Sequence, residues 1–484
     1  MHVEHQRMLI DGDLVAAGSG QTYDNVNPAT EELIGSAPDA SQADVERAVL
    51  AARRAFDDSD WPTDAALRRD CLLALQGHLR KDVERIRWAH TAETGMPLSL
   101  AYAIGVDGPI ENLSYYADRI ADVEWERQLP AKVIFQAPSA RVIRKEAAGV
   151  VAAITPWNYP VQLNLTKIGA ALAAGCTVVL KPAPDTPWSG TLLAEAAAEA
   201  GLPPGVLNVV TTSDNSVAEV LTTHPAVDHV TFTGSTATGR RIMANAAQTI
   251  KRVSLELGGK SAAVVLEDAD LASTIPQVAG GICMHAGQGC ALQTRLLVPH
   301  RLMDQAAEIA AATVSHIPYG DPFDMNTMMG PLINARQLER VLDYIEIGKQ
   351  EGRLVVGGGR AEQFERGWFV QPTVIAEVPN GARVAQEEIF GPVLVLVGFD
   401  DDDDAVRTAN ESLYGLSGAV FSADQDRAVA VARRLRTGTV GVNGSQWFDP
   451  DSPFGGYKQS GLGREWGPEG LEDFLETKTM SVPG

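Results

Sequence analysis

The sequence predicts an α/β protein built on an open, doubly wound parallel sheet and followed by a second α/β region. Three observations predict it. Between about 147 and 270, short apolar runs at 149–154, 176–180, 206–210, 229–232 and 261–265 alternate with helical stretches. Strands separated by crossover helices form a parallel sheet with both faces covered. From roughly 271 to 460 the alternation resumes, with strand-like runs at 295–298, 393–397 and 418–421. Length and composition agree: 484 residues, 45% apolar and 21% charged, suit roughly two to four structural units around a sizeable core and argue against disorder.

Taken in order, the first twenty residues lack a basic segment followed by an apolar core, so no secretory leader is expected. Residues 41–56 read as an amphipathic helix. Ser41 and Asp44 stand at capping-box spacing, and Val45, Ala48, Val49, Ala52 and Phe56 share one face. Residues 132–144 alternate like a hairpin, and 478–482 read as an edge strand. Neither has an obvious partner nearby, so both are candidates for subunit contacts. The stretch 168–180 is interrupted by Gly175 and Thr177 and falls short of the ~20 residues of a spanning helix. The aspartates at 400–404 directly precede the helical stretch 405–411, where acids favour a helix N-terminus, so they read as a solvated cap. Acidic residues outnumber basic ones by 62 to 40, a net charge of −22. That leaves no basic field for nucleic acid or anionic lipid, and neither is an expected partner.

Four cysteines, Cys71, Cys176, Cys283 and Cys290, are too few for a disulfide framework. Reduced thiols and a cytoplasmic location are expected. Cys290 differs from the other three because it sits in a glycine-rich loop, His285-Ala286-Gly287-Gln288-Gly289-Cys290. Upstream, Glu256-Leu257-Gly258-Gly259-Lys260 offers a carboxylate, and a thiol with a nearby base supports covalent catalysis. Two further patterns directly follow predicted strands: Thr155-Pro156-Trp157-Asn158-Tyr159-Pro160 and Lys181-Pro182-Ala183-Pro184. A doubly wound sheet puts its ligand crevice at such strand ends. In Phe232-Thr233-Gly234-Ser235-Thr236-Ala237-Thr238-Gly239, strand, turn and helix leave backbone N–H groups facing an anion. Taken alone, each is an ordinary turn.

Together they resemble the aldehyde dehydrogenase superfamily over nearly the whole chain. Glu387-Glu388-Ile389-Phe390-Gly391-Pro392 and Pro453-Phe454-Gly455-Gly456-Tyr457-Lys458 add to the likeness, in the family's order and spacing. The resemblance implies a cofactor-binding domain at 1–125 and 147–257 and a catalytic domain at 258–459. It also implies a small β oligomerisation domain at 126–146 and 460–484, and a homodimer or homotetramer.

The implied reaction is oxidation of an aldehyde to a carboxylic acid with NAD(P). Cys290 is the implied nucleophile, Glu256 the base for hydrolysis, and Asn158 with the Cys290 N–H the oxyanion donors. Glu465 matches a second carboxylate that assists proton relay; the plainer reading is a helix-terminal acid beside Arg464. The resemblance places Thr155, Trp157, Lys181, Pro184, Gly234, Ser235, Leu257, Glu388 and Phe390 along the cofactor. Many NAD-preferring members carry glutamate where this chain has Pro184. The element that would repel the extra phosphate of NADP is therefore missing, so NAD is expected with NADP use left open. Tyr159, Thr166, Met284, Trp447, Phe448 and Phe454 map onto the substrate pocket. They imply a medium apolar or aromatic aldehyde, in a tunnel widened at Thr166, where relatives often carry a bulky aromatic. No metal is expected. A CoA-acylating semialdehyde dehydrogenase is a competing reading, opposed by the retained base Glu256. A non-catalytic binding protein on the same fold is another, opposed by the intact Cys290, Glu256 and Asn158.

Overall fold

The computed structural model describes residues 7–483. The first six residues, part of the stretch read for a leader, lie outside it. Helix α1 (Gln42–Asp58) starts where its capping box predicts. The Ser41 side chain accepts from the Asp44 N–H, and the Asp44 carboxylate accepts from the Ser41 N–H at 3.0 Å. Its Val45, Ala48, Val49 and Ala52 are fully buried against the first sheet.

That sheet is built on five parallel strands: β1 (Val150–Ile154), β2 (Thr177–Lys181), β3 (Leu207–Val209), β4 (His229–Thr233) and β5 (Arg252–Glu256). Their spatial order is β5-β4-β1-β2-β3. Strand order thus reverses between β1 and β4, the position where doubly wound sheets bind ligands. Antiparallel pieces finish both edges, Gly461–Leu462 on β5 and Met8–Ile10 on β3. Crossover helix α2 (Pro160–Ala174) is buried along its whole length, starts with proline and ends at Gly175 with φ +94°. Proline at the first position and a left-handed glycine after the last are the residues those ends favour. Helices α3 (Trp188–Glu199) and α4 (Thr236–Ala246) follow β2 and β4.

Strand β5 is absent from the apolar runs because Arg252, Val253 and Ser254 are only half-buried beneath a two-residue edge strand. The run at 261–265 is a strand, β6 (Ala262–Val265), but it belongs to the other sheet. There it lies between β7 (Arg295–Pro299) and β10 (Gly418–Phe421), with β9 (Val393–Phe399) and β8 (Thr373–Ala376) beyond β7, all parallel. Val264, Leu297, Leu396 and Val420 fill this second core. Helix α5 (Ala335–Glu351) packs beside it. Helix α6 (Asp402–Asn410) is capped by Asp401, whose carboxylate accepts from the Asp404 N–H at 2.9 Å. The aspartate run is the helix cap that the sequence suggests.

The hairpin is longer than read, Glu126–Ile134 with Ala137–Ala147, and its missing partner is the C-terminal strand Leu475–Pro483. The two candidate contact segments therefore complete one three-stranded sheet. Among the described residues no helix is long and apolar enough to cross a membrane.

One buried carboxylate ties the first layer together. Glu93 accepts from the Trp188 and Ser189 N–H groups, both at 2.9 Å, and from Asn25 Nδ2 at 3.1 Å. Burial pushes its pKa up to about 8. Glu93→Ala orphans these buried donors, each worth about 1–3 kcal/mol. A clear drop in melting temperature is expected in calorimetry; an unchanged one would remove Glu93 from this role.

Candidate active site

Four parallel strands deliver the predicted residues to one edge of the first sheet. Thr155 follows β1, Lys181 ends β2, Gly234 follows β4 and Glu256 ends β5. Registers Ile154↔Lys181 and Thr233↔Glu256 hold the strand ends nearly level. The Gly234 N–H donates to the Glu256 carbonyl at 3.0 Å, so the β4 turn and the carboxylate strand are pinned together. Ser235 caps α4 through the Thr238 N–H, leaving an exposed helix N-terminus of the kind that binds phosphate. Lys181 is buried, which pushes its pKa down to about 8 despite the opposing charge of Asp185. Thr155 donates to Asn164 Oδ1 at 2.6 Å, half-buried Pro184 lies in the Lys181 loop, and Leu257 packs against Gly239.

From Glu256 the chain crosses to the second sheet through Leu257, Gly258, Gly259, Lys260 and Ser261. A Cβ on Gly258 would stand 2.3 Å from Glu388 Oε2, and one on Gly259 would stand 2.6 Å from the Cys290 carbonyl. The Gly259 N–H donates to Glu388 Oε1 at 2.9 Å. At Gly259 the neighbour is backbone, so a side chain there would force the cysteine loop away, whereas at Gly258 it would displace the end of the Glu388 side chain. Phe390, left-handed at φ +62°, sets its ring edge-on to Trp157 at 5.3 Å. Gln337 of α5 donates to the Ile389 and Phe390 carbonyls, which holds that bend.

Cys290 is half-buried, where the other three cysteines are fully buried. Its loop begins with His285, Ala286 and Gly287 at φ +47°, +52° and +73°, three left-handed residues in succession. Gln288 fixes the loop by donating to the His285 and Pro331 carbonyls and accepting from the Ile333 N–H. The Gln288 carbonyl accepts from Asn158 Nδ2 at 2.9 Å, so the Asn158 amide stands beside the cysteine loop with a second N–H to give. Burial, and then Glu256, Glu388 and Glu465, push the Cys290 thiol well above its usual range. Burial and Glu465 likewise raise Glu256, against the pull of Lys167, and Glu388 is pushed up to about 7 by burial. Glu256 Oε1 has no hydrogen-bond partner among the described residues.

Glu465 precedes the short helix Gly467–Glu472, as the plainer reading has it, but its carboxylate pairs with Lys167 and not with Arg464. It accepts from Lys167 Nζ at 2.6 Å, and Lys167 also reaches the Thr231 hydroxyl at 3.0 Å. Lys167 escaped the sequence reading; the available signal was a lone cation inside an otherwise apolar helix. His285 escaped it too, although it is fully buried with both ring nitrogens unpartnered among the described residues and its ring lies 5.5 Å from Tyr159. Trp447 and Phe454 stack at 5.3 Å, Phe448 is partly exposed, and Met284 is half-buried at the start of the cysteine loop. The room expected beside Thr166 is taken. The indole Nε1 of Trp466 donates to its hydroxyl at 3.1 Å. No cluster of metal-ligating side chains occurs among the described residues.

A doubly wound sheet whose strand ends converge on a thiol, carboxyls and a free helix N-terminus has the layout of a dinucleotide-dependent enzyme. Residues 14–480 match the aldehyde dehydrogenase family, and the chain belongs to that family, a family of oxidoreductases. It is 43% identical to a geranial dehydrogenase of Castellaniella defragrans, over all of both chains. An aldehyde dehydrogenase of Mycobacterium tuberculosis complexed with NAD+ shares 42% identity, with TM-score 0.95 over 100% of this chain and 99% of that one. A variant of aldehyde dehydrogenase C from Pseudomonas syringae, with NAD+ and octanal, shares 39% identity and TM-score 0.93, over 98% and 96% of the two chains.

Lys167 and Glu465 form a buried pair, 1% and 12% exposed. Removing one partner of such a pair costs about 3–5 kcal/mol. Lys167→Met should therefore destabilise the protein far more than the double variant Lys167→Met/Glu465→Leu. Equal losses in denaturant titrations would show that the pair is not coupled.

Proposed function

We propose that the protein oxidises a medium-sized apolar or aromatic aldehyde to its carboxylic acid with NAD, through a thioester on Cys290. The observation that carries this reading is the meeting of the half-buried Cys290 with the buried carboxyl of Glu256, whose Oε1 has no hydrogen-bond partner among the described residues, beside the strand ends. The Cys290 sulfur, once its proton has left to solvent, adds as the thiolate to the aldehyde carbon, forming a C–S bond and turning the carbonyl oxygen into an oxyanion. Asn158 Nδ2 and the Cys290 N–H are placed to donate to it. Loss of hydride leaves the thioester. Glu256 then takes a proton from water, which attacks the thioester carbon, and the C–S bond breaks to release acid and the Cys290 thiolate. Glu465, held by Lys167, passes that proton outward.

NAD supplies the hydride acceptor when bound. The donor set fits it: Lys181 for the adenosine ribose, Gly234 and the α4 N-terminus at Ser235 for the pyrophosphate, Glu388 for the nicotinamide ribose, and Phe390 with Trp157 for the ring. Thr155, Pro184 and Leu257 line the same path. No carboxylate stands at Pro184 to repel the extra phosphate of NADP, so NAD is the cofactor of this reading and NADP use is left open to the assay below. A cytoplasmic location is part of this reading. We further propose that the three-stranded sheet joins subunits into a dimer or tetramer, because Phe135 at its tip is fully exposed and Val133 is 71% exposed. Sedimentation should give two or four times the 51.6 kDa chain mass; a single chain mass would oppose it.

The central experiment follows reduced-cofactor absorbance with octanal and benzaldehyde, using NAD and NADP in parallel. Cys290→Ala should lose oxidation entirely while still binding NAD. Glu256→Gln should keep a single-turnover burst and lose the steady state; equal loss of both would make Glu256 an activator of the thiol instead. Because burial holds Glu256 above the carboxylate range, its deprotonated form grows in as pH rises. The wild-type steady-state rate should climb with pH beyond the range in which ordinary carboxylates ionise, and Glu256→Gln should blunt that climb.

A further inference from the structure

Trp466 has φ +58° and ψ 177°, a backbone region that residues with side chains enter only at a cost and that clusters at functional sites. Four contacts impose it. The Glu465 and Phe454 backbones exchange N–H to carbonyl bonds at 2.7 Å, and the Gly467 N–H donates to the Pro450 carbonyl at 2.9 Å. The Glu465 carboxylate and the Trp466 indole then dock on consecutive residues of α2, Lys167 and Thr166. The indole is 97% buried from solvent, its relative exposure being 3%. It meets Phe448 edge-on at 4.6 Å and lies 5.8 Å from Phe454. Phe454 and Trp466 belong to the apolar cluster against which Cys290 and Trp447 pack. On its other side Trp466 borders a surface cleft of about 330 Å³ shared with Tyr102, Ile104, Gln162 and Phe448, whose one charged lining residue is Asp449.

We infer that Trp466 is the specificity-determining wall of the aldehyde channel, latched by Thr166, and that it selects a slender, uncharged apolar tail. The inference rests on the aldehyde-oxidising reading above. A flat indole between Phe448 and Phe454 fills the room that the small Thr166 leaves, and its N–H on the Thr166 hydroxyl fixes the ring plane. Aromatic faces offer an anionic tail no partner, and Asp449 at the cleft repels one. A tail with a saturated ring needs the volume that the indole occupies.

The test compares three eight-carbon aldehydes, octanal, cyclohexylacetaldehyde and 8-oxooctanoate, in the full-length protein with NAD. Octanal should have the highest kcat/KM. In Trp466→Leu the octanal to cyclohexylacetaldehyde ratio should fall about tenfold or more, the scale on which an apolar pocket discriminates. The change should lie mainly in KM. Thr166→Val keeps the side-chain shape, removes the acceptor and should move the ratio in the same direction. Trp466→Phe keeps an aromatic wall should the leucine variant fold poorly, and should shift the ratio less. A ratio unchanged within about twofold in all three variants, or an equal loss of kcat for both aldehydes, overturns the assignment, as does a preference for 8-oxooctanoate. Failure of the underlying reading appears separately, as wild-type protein that oxidises no aldehyde. Octanal quenching of tryptophan emission in Cys290→Ala, diminished in Cys290→Ala/Trp466→Phe, then still tests the wall.

Discussion

The crossing from the first sheet to the second, five residues between Glu256 and Ala262, is the constraint from which the site follows. Its two glycines are pressed against Glu388 on one side and the Cys290 carbonyl on the other. A methyl group at either position would collide with the group it faces. The second sheet therefore sits where its cysteine loop and its Glu388 loop both meet the end of β5, and the carboxyl of Glu256 is buried between them.

Electrostatics within that junction are one-sided. Cys290, Glu256, Glu388 and Glu465 lie close enough to raise the thiol together, and Lys167 is the cation that opposes them at Glu256. Groups that share negative charge in a poorly solvated space retain protons. Helix α2 contributes to both aspects, since its Lys167 carries that cation and its neighbour Thr166 holds the adjacent indole.

Much of this was legible in the sequence because chemistry at strand ends demands particular residue types whatever surrounds them. Cys290, Glu256, Asn158, Lys181 and Ser235 stood out for that reason, and the cap at Ser41 is a purely local motif. What escaped the reading depends on distance or conformation. Strand β5 is half polar because its outer neighbour is only two residues long. The run at 261–265 has strand periodicity, but periodicity does not say which sheet a strand joins. Lys167 looks like an intruder in an apolar helix until Glu465, 298 residues away, is beside it. Thr166 reads as a gap, because nothing written at Trp466 announces a left-handed tryptophan.

The last two dozen residues touch everything. Gly461–Leu462 closes the edge of the first sheet on Leu255 and Glu256, Glu465 meets Lys167, and Leu475–Pro483 completes the hairpin sheet. A chain emerging from the ribosome makes its N-terminal contacts first. These closing contacts join residues more than two hundred positions apart, so the strand that covers β5 and the acid that pairs with Lys167 are made after the elements they complete. A chain cut before residue 461 would carry an unfinished sheet edge and a buried lysine without its counter-charge.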